Sequence, residues 1–142
     1  MGPLSVSTPV SLVPIGAIHT PYPTPQECPG APHTRGDRSR IVLLPEYSGA
    51  VDGLRAGLLI HVLWWAEVPD RSVLRRPHTS GGPELGVFSG RGVLRPNPLG
   101  LTLARIASVA GDHLVVTGMD CATGTTLIDI KPVVPDPDVF PL

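Results

Sequence analysis

The sequence predicts a mainly β protein: a single small β-barrel or strongly curved antiparallel sheet with long Pro/Gly-rich loops. Eighteen prolines and sixteen glycines in 142 residues leave little room for a sustained helix. The apolar segments are short, rich in β-branched residues and separated by turn residues, which is the pattern of strands. The length suits one domain with one core.

The elements follow in order. Residues 1–11 read as a flexible leader, 12–135 as the folded domain and 136–142 as a tail. Leu12 to Thr20 alternates well enough for a first strand, and Pro21 to Ser39 is a proline-crowded loop. Arg40 to Leu44 gives a second strand closed by Pro45, followed by a helical turn around Ser48 to Ala56. The apolar run Gly57 to Ala66 predicts a strand buried on both faces, with His61 a core histidine. Trp64 and Trp65 then face opposite sides, so one can line a ligand pocket while the other packs in the core or a subunit interface. After the Pro69 to Pro83 loop come a short strand at Leu85 to Ser89, strands at Leu101 to Val109 and His113 to Thr117, and a last one at Thr126 to Ile130. Ala110-Gly111-Asp112 predicts a tight hairpin turn with Gly111 at positive φ.

Composition also excludes function classes. A net charge of −1 argues against a broad phosphate-neutralising surface. Arg71, Arg75 and Arg76 on one side of a glycine-rich stretch, with Arg91, Arg95 and Arg105 on the other, are either a local basic patch or solvated loop arginines. Gly57 to Ala66 is far shorter than the roughly 18 apolar residues of a membrane span, and Met1-Gly2-Pro3 does not open a signal peptide. A soluble protein without a membrane partner is expected, with Cys28 and Cys121 as reduced thiols in the cytoplasm. His19, His33, His61, His78 and His113 are scattered without ligand spacing, so no metal site is expected. There is no P-loop and no Gly-x-Ser-x-Gly elbow, and Gly90-Arg91-Gly92 has Arg95 where a dinucleotide fingerprint needs its third glycine.

The unusual segment is Arg95-Pro96-Asn97-Pro98-Leu99-Gly100. Two prolines fix two φ angles and remove two donors, which holds Asn97 extended in a rigid loop. That suits either a binding loop or a structural turn. The segment resembles the Arg-Pro-Asn-Pro-Ile/Leu-Gly signature of the TsaA-like (TrmO) family. The resemblance extends to Ile15-Gly16-Ala17-Ile18-His19-Thr20-Pro21-Tyr22, Leu44-Pro45-Glu46-Tyr47, Gly86-Val87-Phe88 with Arg91, and Gly124-Thr125 with Asp129-Ile130-Lys131-Pro132. Thr123 replaces an aspartate of the family pattern, and Gly57-Leu58-Leu59 replaces its Phe-Ser-His.

The resemblance implies a barrel that binds S-adenosylmethionine, is commonly dimeric, and methylates N6 of threonylcarbamoyladenosine in tRNA. It implies cofactor contacts at Arg91, Leu101, Ala122, Thr123, Gly124 and Thr125, with Arg95 and Asn97 supporting the loop. Tyr22, Arg75, Arg76, Asp129 and Lys131 are the candidate substrate contacts, and no catalytic base is assigned. A homodimer through the Gly57 to Ala66 face is expected. The alternatives are a methyltransferase acting on a small metabolite or natural-product intermediate, and a non-catalytic cofactor-binding module.

Overall fold

The computed structural model describes residues 8–29 and 36–135. Strands β1 (Gly16–His19), β2 (Arg38–Leu43), β3 (Leu59–Trp65), β6 (Leu99–Ala110), β7 (His113–Thr117) and β8 (Thr125–Pro132) close an antiparallel barrel in the order β1-β2-β7-β6-β3-β8. β4 (Arg75–Pro77) and β5 (Glu84–Gly86) form a separate hairpin. Closure removes the open sheet edges that six short strands would otherwise expose.

Side-chain alternation fills the barrel. Ile18, Ile41, Ile60, Ile106, Leu114 and Leu127 point inward and are fully buried. On β6 the inward positions Gly100, Thr102, Ala104 and Ile106 are buried, while Leu101, Leu103 and Arg105 between them are exposed. Two register shifts, between Leu63 and Trp64 on β3 and between Ile106 and Ser108 on β6, bend the sheet where it must curve.

Several sequence expectations need correction. β3 is not buried on both faces: Ile60 and Val62 are buried, whereas Leu59, His61, Leu63 and Trp65 are only half-buried on the outer face. His61 is therefore not a core residue. The first strand begins at Gly16 rather than Leu12, and the helical turn is a 3₁₀ segment over Pro45–Val51. Proline at the first helical position favours that earlier start. Leu85 to Ser89 divides into β5 and a 3₁₀ turn, Val87–Ser89. The β6–β7 hairpin forms as expected, but Gly111 does not have positive φ. The leader falls mostly, and the tail entirely, outside the described residues.

Candidate functional site

Strand directions place at one end of the barrel the described residues that leave β1 and enter β2 (20–29 and 36–37) and the connections 66–98 and 118–124. The predicted cofactor residues gather at this end. β7 pairs with β6 only from Arg105 onward, so β6 from Leu99 to Ala104 projects beyond it. There the Arg91 Nη2 donates to the Leu101 carbonyl at 2.9 Å. Arg95 Nη2 donates to the carbonyls of Val87, at 2.7 Å, and Gly90. Arg91 thus holds the loop to β6, and Arg95 holds it to the turn around Val87–Ser89.

The Arg-Pro-Asn-Pro turn is fixed from outside as well. Arg71 donates from Nε to the Pro96 carbonyl at 2.7 Å and from Nη2 to Asn97 Oδ1 at 3.1 Å. Its guanidinium also lies 5.1 Å from the Trp65 ring centroid, a cation–π contact. Trp65, Arg71, Asn97 and Leu99 line a cleft of about 630 Å³ whose walls include Val10 and Leu12. The two tryptophans divide as alternation requires, since Trp64 turns inward and donates from Nε1 to Thr102 Oγ1 at 3.0 Å.

Thr102 accepts that bond and donates its own proton to Asp120. The chain Trp64–Thr102–Asp120 ties β3 and β6 to the 118–124 crossing. Cys121 and Met119 on either side of Asp120 are buried and anchor the crossing in the core. The Thr123 amide donates to the Tyr22 carbonyl at 2.8 Å and the Gly124 amide to the Ile18 carbonyl at 2.8 Å. The Thr20 hydroxyl donates to the Cys121 carbonyl at 2.8 Å, and the Thr125 hydroxyl to Ala122 at 2.6 Å. Gly124 has φ of 86°, and a Cβ there would meet nothing within 4 Å, so this loop presents bare backbone on its open side.

Burial pushes the Cys121 thiol up to about 12, and burial followed by the nearby Asp120 charge raises Cys28. Neither sulfur is a ready nucleophile at neutral pH. Among the described residues no cluster of three His, Cys, Asp or Glu side chains could hold a metal, and no helix is long and apolar enough to cross a membrane.

The structure brings Arg91, Leu101, Ala122, Thr123, Gly124 and Thr125 to one end of the barrel, with Arg95 and Asn97 in the supporting turn. It does not bring all the proposed substrate contacts there. Tyr22 is buried and its hydroxyl donates to Asp37 Oδ2 at 2.9 Å. Asp129 pairs with Leu63 and Lys131 with His61, down the body of the barrel. At about 3.3 Å per residue, Lys131 lies roughly 20 Å from Thr125. Arg75 and Arg76 sit on the β4–β5 hairpin. Sequence reasoning does not reach Thr102 and Asp120 as site residues, and it names Arg71 only within a possible basic patch, since their partners are 18 to 38 positions away.

Comparison with known proteins matches residues 17–139 to the model of the tRNA-methyltransferase O N-terminal domain. A probable S-adenosyl-L-methionine-binding protein of Methanothermobacter thermautotrophicus is 37% identical over 129 residues, covering 91% of this chain and 93% of that one. An S-adenosyl-L-methionine-binding protein of Archaeoglobus fulgidus is 32% identical, covering 89% and 91%. The crystal structure of TrmO from Pseudomonas aeruginosa superposes with a TM-score of 0.78 at 28% identity. That match covers 94% of this chain and 60% of the solved one, so the chain spans less than two thirds of that structure.

Proposed function

Because the chain belongs to the tRNA-methyltransferase O N-terminal domain family, we propose that it is an S-adenosylmethionine-dependent methyltransferase whose acceptor is N6 of threonylcarbamoyladenosine in tRNA. The observation that carries the reading is that the Arg91–Leu101 edge and the 122–125 loop lie at the same end of a closed barrel, where the Thr102–Asp120 bond ties β6 to the 118–124 crossing. A mouse tRNA (adenine(37)-N6)-methyltransferase, 43% identical over 63 residues, supports the acceptor, although the match covers 44% of this chain and 15% of that one.

The residues present fit this cofactor. When bound, S-adenosylmethionine supplies an electrophilic methyl on a sulfonium, a chemistry that needs alignment and acceptor groups rather than a metal. The Gly124 amide is turned toward Ile18, so the Thr123 carbonyl in the same trans peptide points away from β1. A carbonyl there offers an acceptor to a cation. The Arg91 guanidinium is exposed beyond its single bond to Leu101 and is suited to a carboxylate. The bare backbone at Gly124 allows a ligand to approach closely. Asp120 holds the crossing in register through Thr102.

The proposed homodimer uses the outer face of β3 and β6. Leu63 pairs with Leu101 and His61 with Leu103 on that face, and Leu101 and Leu103 are 47% and 38% exposed. Light scattering should give twice the 14.9 kDa chain mass. We assign the cytoplasm, where Cys28 and Cys121, both free, stay reduced. The net charge of −1 favours one second reading, a small-molecule acceptor. Calorimetry with S-adenosylhomocysteine tests the cofactor assignment: saturable binding that Arg91→Ala weakens supports it, and no heat at millimolar ligand refutes it. An electrophoretic shift with tRNA at low salt separates the two acceptors.

A further inference from the structure

The β4–β5 hairpin carries two adjacent arginines with different surroundings. Arg75 faces its hairpin partner, with Nη2 donating to the Glu84 carbonyl at 3.0 Å and Nε 3.5 Å from the Glu84 carboxylate. Arg76, the next residue on the strand, turns to the opposite face and is half-buried. There it lines a cavity of about 180 Å³ together with His78, Arg91 and Arg95. Among the described residues no acidic side chain lines this cavity.

Three guanidinium groups collected around one small space repel one another unless an anion is present. The array is also incompletely satisfied. Arg95 spends Nη2 on the Val87 and Gly90 carbonyls, which fixes its plane, while its Nε is buried and has no partner. The histidine has a donor role as well. Ser89 Oγ gives its proton to the Gly86 carbonyl at 2.7 Å, so it accepts at 2.9 Å from His78 Nε2.

We propose that the cavity formed by Arg76, His78, Arg91 and Arg95 binds a phosphate group, and that this phosphate belongs to the backbone of the RNA acceptor. The inference rests on the tRNA reading above and extends it to a particular contact. Cations from a hairpin and a separate loop surround the cavity, an arrangement suited to the several oxygens of a phosphate. A phosphate held there would also lock the hairpin to the loop whose Arg91 reaches the Leu101 edge. The proposal therefore separates Arg76 from Arg75, although the two are neighbours in sequence.

The test uses the full chain with Arg76→Ala, Arg76→Gln and Arg75→Ala, each checked for its thermal melt. Binding to tRNA is measured as a function of salt, and S-adenosylhomocysteine binding is measured by calorimetry. Both Arg76 variants should weaken tRNA binding about tenfold at low salt and reduce the log–log salt slope by about 0.7–0.9. Arg75→Ala should change tRNA affinity less than about twofold, since one exposed surface charge contributes little. Equal effects at the two positions, or none at Arg76 in folded variants, would overturn the proposal. Inorganic phosphate is the second probe. If it raises the melting temperature of the unmodified chain but not of Arg76→Ala, while tRNA affinity is indifferent to Arg76, the cavity takes free phosphate and the RNA assignment is wrong. Failure of the unmodified chain to bind tRNA would instead refute the acceptor reading, with the phosphate-induced shift still deciding whether the cavity is an anion site.

Discussion

Gly100 on β6 stands directly opposite Trp64 on β3, and the indole lies over it so closely that a Cβ at position 100 would fall 2.0 Å from Trp64 Cε2. The glycine that ends the Arg-Pro-Asn-Pro turn therefore makes room for the tryptophan that holds Thr102. Gly100→Ala should push the indole aside, break its bond to Thr102 and destabilise the fold by about 1–3 kcal/mol. Chemical denaturation with tryptophan fluorescence checks this. An unchanged midpoint and spectrum would show that the ring is not constrained.

Thr102 links Trp64 to Asp120, so removing its hydroxyl strands both partners. Thr102→Val keeps the size of the side chain and should cost about 1–3 kcal/mol, because one buried donor and one carboxylate lose a partner. Cofactor affinity should fall as the 118–124 crossing loosens, whereas Thr102→Ser should restore most of both properties. Calorimetry on the two variants at a temperature where both are folded separates loop positioning from global unfolding.

Arg71 acts on the turn from the solvent side. Arg71→Ala removes the bonds to Pro96 and Asn97 and the cation over Trp65, but the residue is exposed and its loss should cost less than about 1 kcal/mol. Its effect should appear instead as faster amide exchange at Asn97, Leu99 and Gly100 and several-fold weaker cofactor binding. Protection unchanged from the parent protein would show that the two prolines suffice to hold the turn.

Cys121 gives the stability a pH dependence. Its thiol is held near 12 in the folded protein against an ordinary 9.0, and burial is the largest cause. The unfolded chain therefore loses this proton first as pH rises. Stability is unaffected by the group below about pH 9 and falls between 9 and 12, by at most about 1.4 kcal/mol per pH unit. Melting temperatures across pH 8 to 10.5 should decline less steeply for Cys121→Ala than for the parent. Parallel declines would place the alkaline sensitivity elsewhere.

Much of the barrel was legible in the sequence because strand periodicity is local. The β6–β7 hairpin, the inward–outward division of Trp64 and Trp65, and the closed end of β2 before Pro45 all follow from alternation and turn residues. β4 was not legible, since Arg75-Arg76-Pro77 contains none of the β-branched or aromatic residues that mark a strand. The long apolar run of β3 was read as buried on both faces, but its outer residues are the half-exposed surface shared with Leu101 and Leu103. An apolar run alone does not distinguish a strand buried on both faces from one whose outer face is half-exposed. At the site, the turn around Asn97 and the Gly124 loop were visible as motifs. Asp120, flanked by buried Met119 and Cys121, gains its meaning only from Thr102 across the barrel end.

The most direct measurement of the central claim is methyl transfer itself. The purified chain would be incubated with methyl-labelled S-adenosylmethionine and tRNA carrying threonylcarbamoyladenosine, and the RNA digested to nucleosides. Transfer to this acceptor requires label in N6-methylated threonylcarbamoyladenosine, with one S-adenosylhomocysteine formed per methyl and with transfer lowered by Arg91→Ala. Saturable S-adenosylmethionine binding with no label in any nucleoside would contradict it.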